Sequence, residues 1–131
     1  MKTILIDAVY TFVVESDRVF KPFKQMYNML ETFPNRKIIL TSANDEQFKK
    51  FNLAEMPYEV FTLKHNPEKT DPKYYEEMLK YFSLKKDDVF YFEHDKNAVE
   101  SAKVVGIKTY HYDSERKDLI SLKDFLTENY K

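Results

Sequence analysis

Three short apolar runs in this chain each lead straight into residues that can do chemistry. Thr3-Ile4-Leu5-Ile6 ends on Asp7, Lys37-Ile38-Ile39-Leu40 on Thr41-Ser42, and Val89-Phe90-Tyr91-Phe92 on Glu93-His94-Asp95. A fourth group, Lys69, stands just before Asp71-Pro72. Together they offer a carboxylate able to attack as a nucleophile, a hydroxyl, an ammonium and an acidic cluster. Taken singly, each has a plain structural reading. Asp7 could end a strand in a turn, Thr41-Ser42 could be loop, Asp95 could cap a helix, and lysine is abundant here. Their chemistry depends on whether the fold brings them to one place.

The elements that would do so are legible as an alternation of strand-length runs and helical periods. Thr3 to Ile6 is continuously apolar, as in a strand covered on both faces. Phe20, Phe23, Tyr27 and Leu30 recur at three- and four-residue steps and predict a helix with Pro22 near its start. Lys37 to Leu40 is a second strand, and Asn44 caps a short helix. Tyr58 to Leu63 is a third strand. Asp71-Pro72 opens a helix that carries Tyr75, Met78, Leu79 and Phe82 on one face. Val89 to Phe92 is a fourth strand, Asp95 caps the helix of Val99, Ala102 and Val105, and Ile107 to Tyr112 is a fifth. Ser121-x-x-Asp124 reads as a capping box for a last helix. Strands alternating with helices predict a three-layer, Rossmann-like α/β domain over residues 1–131, with a five-stranded, mainly parallel sheet. In such sheets ligands bind beyond the carboxyl ends of the strands, where Asp7, Thr41 and the Glu93-His94-Asp95 cluster all fall.

Composition narrows the chemistry further. At 131 residues one domain is expected, with enough chain for a core without staples. With no cysteine, disulfides and thiolate zinc sites are excluded. There is one glycine, where ordinary usage would give about nine. Neither glycine-built cradle for dinucleotides or nucleoside triphosphates can therefore be written. The glycine, Gly106, follows the helix of Val99 to Val105, where a left-handed turn into the fifth strand is expected. Lys and Arg number 21 against 22 Asp and Glu, so no global positive field points to nucleic acid or an anionic membrane. Asp7 interrupts the apolar start and no small-residue cleavage site follows, so a soluble, cytoplasmic protein is expected.

The order of these groups resembles the haloacid-dehalogenase-like (HAD) hydrolase superfamily, most of whose members are magnesium-dependent phosphatases. The family's D-x-D-G-T aligns with Asp7-Ala8-Val9-Tyr10-Thr11, where the first Asp and the Thr survive. Its second motif, an apolar strand ending in Thr or Ser, aligns with Ile38-Ile39-Leu40-Thr41. Its third-motif lysine, often in K-P-D-P, aligns with Lys69-Thr70-Asp71-Pro72. The fourth aligns with Phe90-Tyr91-Phe92-Glu93-His94-Asp95 and runs on to Gly106-Ile107. The resemblance spans Ile4 to about Tyr112 and implies a covalent mechanism. Asp7 would attack a phosphoryl group, Thr41 and Lys69 would hold its oxygens, and Thr11 belongs to the same motif. Mg²⁺ would bridge nucleophile and phosphate, held by Asp7, the backbone carbonyl of Val9 and position 94.

Three positions depart from that pattern. Val9 replaces the second Asp, which in family phosphatases protonates the leaving group. Tyr10 replaces the motif's glycine. His94 stands where a metal-binding Asp is expected, so Glu93 or Asp95 would have to take over, or another divalent ion would replace magnesium. Three readings follow. One is a weakened or unusual metal-dependent phosphatase. Another is a non-catalytic module that uses the same edge for binding. The third is a metal-independent dehalogenase, which D-A-x-x-T also resembles. The stretches between Asp7 and Thr41 and between Thr41 and Lys69 are too short for an inserted cap domain. This argues against a small enclosed haloacid and for a phosphorylated or macromolecular substrate.

Overall fold

The computed structural model describes all residues 1–131. Its chain order is β1 (Thr3–Asp7), β2 (Val13–Ser16), β3 (Val19–Pro22), α1 (Lys24–Leu30), β4 (Lys37–Thr41), α2 (Asp45–Lys50), β5 (Glu59–Thr62), α3 (Pro72–Phe82), β6 (Val89–Glu93), α4 (Lys96–Val105), β7 (Lys108–His111) and α5 (Leu119–Asn129). Five strands form one parallel sheet in the order β5-β4-β1-β6-β7. The chain builds outward from β1 through β4 to β5, then returns to the other side of β1 for β6 and β7. The carboxyl ends of β4, β1 and β6 therefore lie side by side. No helix is long and apolar enough to cross a membrane.

The alternation of the strand side chains divides the interior in two. Ile4 and Ile6 of β1, Ile39 of β4 and Phe90 and Phe92 of β6 face a core closed by Met26, Leu30, Leu122 and Leu126 of α1 and α5. Leu5, Ile38, Leu40, Val89 and Tyr91 point the other way, onto Tyr74, Tyr75, Met78 and Leu79 of α3 and Ala102 of α4. All five residues of β1, and all five of β6, are buried. This is why both strands read as unbroken apolar runs rather than alternating ones.

The helix starts follow their caps. Asn44 and Gln47 make a reciprocal capping box on α2. Asp71 accepts from the Lys73 backbone N–H with Pro72 at the first helical position, and Asp95 accepts from Asn97 and Ala98. Gly106 ends α4 at φ +98°, and a Cβ there would sit 2.8 Å from Cδ of Lys86. The lone glycine is thus used where the left-handed backbone requires it, the nearby lysine end being free to move aside.

Two expectations need correction. The helix expected from Phe20 begins only at Lys24, because Val19–Pro22 is instead the second strand of an antiparallel hairpin with Val13–Ser16. Phe20 packs edge-on against Phe51, with ring centroids 4.8 Å apart. Its three-residue step to Phe23 imitates a helical stripe across a strand–helix junction. The last helix is capped one turn earlier than expected, by Asp118, whose side chain accepts from the Ser121 N–H. Ser121 and Asp124 lie inside that helix.

The connection from β1 to β4 consists of this hairpin and α1, and the connection from β4 to β5 of α2 and a short 3₁₀ turn at Leu53–Glu55. No domain is inserted at either place, and the carboxyl edge of the sheet stays open.

Candidate active site

Asp7 closes β1 and is 3% exposed. A buried carboxylate must find donors for both oxygens, and it does. Lys69 reaches Oδ1 with its Nζ at 2.6 Å. The Thr11 hydroxyl donates to Oδ2 at 2.6 Å, and His94 presents both its Nδ1 and its backbone N–H to the same oxygen. Four partners from three segments of the chain thus converge on one side chain at the end of the central strand.

Lys69 is held as firmly as the carboxylate it serves. Its Nζ lies 2.7 Å from Oε1 of Glu93 and donates to the Leu40 carbonyl at 3.1 Å. Its backbone N–H donates to Oγ of Ser42 at 3.1 Å, fixing the loop before α3 against the end of β4. Glu93, 1% exposed, accepts the Tyr91 hydroxyl on Oε1 and the Asp95 N–H on Oε2 at 2.9 Å. The Tyr75 hydroxyl lies 3.3 Å from that of Tyr91. Tyr74 donates to the Thr41 carbonyl at 2.7 Å and so anchors α3 to the end of β4.

The electrostatics follow from this wiring. Burial alone would raise the Asp7 carboxyl, but the Lys69 charge and the hydrogen bonds from His94 and its neighbours outweigh burial. Asp7 is therefore held far below the usual carboxylate range and stays ionised. For Lys69, burial works against the charge, and the Asp7 and Glu93 carboxylates more than reverse it. Hydrogen bonds to Asp7 and then Glu93 outweigh the burial of His94 and push its imidazole up to about 10. At neutral pH the Lys69 ammonium and the His94 imidazolium therefore both face an ionised Asp7.

The expected residues do come together. Asp7, Val9, Thr41, Lys69, Glu93, His94 and Asp95 all line one open pocket of about 220 Å³, joined by Ser42, Glu68 and Thr70. Thr11 lies beneath it, fully buried, orienting Asp7. Thr41 accepts the Ala43 N–H on its Oγ at 3.2 Å. Asp95 accepts two backbone N–H groups as the cap of α4. Tyr91, Tyr74, Ser42 and His111, which donates to the His94 carbonyl at 2.9 Å, complete the support. Of these, Ser42 stood beside Thr41 at the strand end, while composition and spacing did not single out the two tyrosines or His111. The tyrosines read as apolar core positions, and only their buried hydroxyls, which must find partners, could have signalled more.

Tyr10 adopts φ +72°, the left-handed region that favours glycine. A bulky residue there costs about 1–2 kcal/mol. The backbone turn therefore persists although the glycine does not. The ring leans outward, 60% exposed, and meets the His94 ring edge-on at 6.0 Å.

The group Asp7, Glu93 and His94 brings three ligand-type atoms within 4.8 Å of one another. These donors do not fit magnesium. The Lys69 ammonium already sits between the two carboxylates, and the His94 nitrogen that faces Asp7 bears a proton in that hydrogen bond rather than a free lone pair. Magnesium asks for near-octahedral oxygen ligands at about 2.0–2.1 Å.

No protein-family model matches the chain, and no curated protein matches it in sequence. Solved structures do. A HAD family enzyme from Bacteroides thetaiotaomicron, a variant in complex with magnesium and inorganic phosphate, is similar with a TM-score of 0.69 at 12% identity, over 87% of this chain and 95% of that one. A dehalogenase is similar with a TM-score of 0.63 at 14% identity, over 87% of this chain and 59% of that one. L-2-haloacid dehalogenase from Xanthobacter autotrophicus, with chloropropionic acid covalently bound, gives 0.58 at 15% identity, over 87% and 53%. The chain thus spans a little over half the length of these two dehalogenases. With the sheet order and the placement of Asp7, Thr41 and Lys69 at its carboxyl edge, these likenesses show that the chain has the HAD-like fold.

Proposed function

We propose that the chain is a hydrolase in which Asp7 is the nucleophile, acting on a phosphorylated substrate that approaches the open edge of the sheet. The observation that carries this reading is the ionised, buried Asp7 carboxylate, fixed by Lys69, Thr11 and His94 on the floor of a polar pocket. The similar Bacteroides enzyme is described in complex with inorganic phosphate, which makes a phosphoryl group the first substrate class to try. An Asp7 oxygen would form the new bond to phosphorus while the bond to the leaving oxygen breaks. Lys69 and the Thr41 hydroxyl would bind the phosphoryl oxygens as charge shifts onto them. Water would then cleave the aspartyl phosphate and return Asp7.

Val9 stands where an acid would protonate the leaving group. The substrates best served are therefore those whose leaving group departs as a stable anion, such as aryl and acyl phosphates. The test is hydrolysis of a panel of p-nitrophenyl phosphate, acetyl phosphate, alkyl phosphates and a phosphopeptide, comparing the native protein with Asp7→Asn. Activity is expected on the first two and none in the variant. Equal rates for both proteins would overturn the reading in favour of a non-catalytic binding module, and halide release from a short haloacid would redirect it to dehalogenation. A companion variant, Val9→Asp, is expected to raise turnover of alkyl phosphates by about 10²-fold, with a smaller gain on p-nitrophenyl phosphate. Equal gains on both substrates would show that leaving-group protonation is not what position 9 lacks.

A further inference from the structure

In the fold's magnesium-dependent members, position 94 would supply an oxygen ligand. Here both carboxylate oxygens of Asp7 and both of Glu93 already have donors from the chain itself. Oδ1 of Asp7 has the Lys69 ammonium at 2.6 Å. Oδ2 has the Thr11 hydroxyl at 2.6 Å, Nδ1 of His94, and the His94 N–H at 3.3 Å. Oε1 of Glu93 has Lys69 and the Tyr91 hydroxyl, and Oε2 has the Asp95 N–H. The side chain of Asp95 caps α4. A cation entering between Asp7 and Glu93 would have to expel Lys69, and one entering beside Oδ2 would have to displace the Nδ1 proton of His94.

His94 is also fixed in place from behind. His111 of β7 donates to its carbonyl, and Tyr10 stands edge-on to its ring. With its main chain held by His111, Tyr10 at one edge of the ring and one nitrogen aimed at Asp7, this is a built contact rather than a loose surface histidine.

We infer that His94, together with Lys69, takes the place of the divalent ion, so that this HAD-fold site binds its substrate and works without metal. The consequence for chemistry rests on the reading of Asp7 as nucleophile. When an Asp7 oxygen bonds to phosphorus its charge falls, and the Nδ1–H and Nζ–H groups that it held become free to follow the charge onto the phosphoryl oxygens. The donors are already in place, so no ion has to be recruited with the substrate.

The test reads metal binding directly, by thermal unfolding of the native protein in EDTA and in 10 mM Mg²⁺ or Mn²⁺ or 0.1 mM Zn²⁺. No shift is expected for the native protein. His94→Asp, which returns an oxygen ligand, is expected to gain about 5 °C in 10 mM Mg²⁺, the shift for a millimolar site in a domain of this size. His94→Asn carries the same test with a neutral oxygen if the aspartate variant fails to fold, as judged by circular dichroism. A metal shift in the native protein that Asp7→Asn abolishes overturns the proposal. So does the absence of a Mg²⁺ shift in folded variants of both kinds. Because nothing here reads turnover, the two readings fail separately. A protein inert toward every ester but indifferent to metal would sink the hydrolase and keep this inference. One active only with Mg²⁺ would do the reverse.

Discussion

Lys69→Met is expected to destabilise the protein by about 3–5 kcal/mol, enough to lower the melting temperature by roughly 10–20 °C in a domain of this size. The size of the effect comes from what the lysine leaves behind. Its ammonium lies 2.6 Å from Asp7 and 2.7 Å from Glu93, and these side chains are 4% and 1% exposed. Methionine fills much the same volume but supplies no charge. Two buried carboxylates would then face each other with only His94 and hydrogen bonds between them. Breaking a buried ion pair costs far more than the pair is worth against an apolar replacement, because the surviving charge is stranded. This gives the prediction a second arm. In Lys69→Met/Glu93→Gln one of the stranded charges is also gone, so the double variant should recover a measurable part of the loss, an interaction of about 1–3 kcal/mol in a double-mutant cycle. Urea unfolding at pH 7 checks both. If the double variant is no more stable than Lys69→Met, the loss belongs to packing around α3 and not to the charges.

This wiring marks the limit of what the sequence could say. The strands β1, β4 and β6 announced themselves because they are buried on both faces and so carry no polar interruption until the residue that matters. Asp71-Pro72, Asn44 and Asp95 announced their helices because a cap is a local contract between neighbours. The hairpin β2–β3 did neither. It has four residues in each strand, only half-buried, and its turn uses Asp17 and Arg18 at φ +54° and +66°. Glycine or asparagine at those positions would have been visible in the sequence. The site shows the same division. That Asp7, Thr41, Lys69 and the 93–95 cluster share one edge follows from strand order. Glu93 is a different matter. Its place at a strand end suggested a metal ligand, yet its side chain turns inward to Lys69 and Tyr91. Which oxygen meets which donor across 24 residues of chain is decided by packing, and the tyrosine that binds Glu93 looks like any other apolar position in β6.

Stability should also fall as pH rises from about 6.5 to 10, and His94 should be the reason. Its folded imidazole is pushed up to about 10, by hydrogen bonds to Asp7 and then Glu93, from an unfolded value of 6.5. Within that interval the folded protein keeps a proton that the unfolded chain has released. The contribution is complete below pH 6.5 and is lost as pH rises through the folded value. Full retention of the proton would give a slope of about 1.4 kcal/mol per pH unit. The ring is 26% exposed, and screening by water takes back part of this, so the expected loss between pH 6.5 and 9 is about 2 kcal/mol. Asp7 works in the opposite sense. Its carboxyl is held below the ordinary value of 3.8, against burial and chiefly by Lys69, so its contribution is present above that pH and is lost on acidification. The variant that separates the two is His94→Gln, which keeps a hydrogen-bond donor near Asp7 but cannot take up a proton. Its urea-unfolding free energy should run level between pH 6.5 and 9, where the native protein declines, while both lose stability below pH 4. Asp7, which His94 also helps to hold down, titrates far below this interval, so over pH 6.5 to 9 the difference between the two proteins reads His94. Parallel profiles across the alkaline interval would mean that His94 faces Asp7 as a neutral ring, and that Lys69 alone balances the two carboxylates.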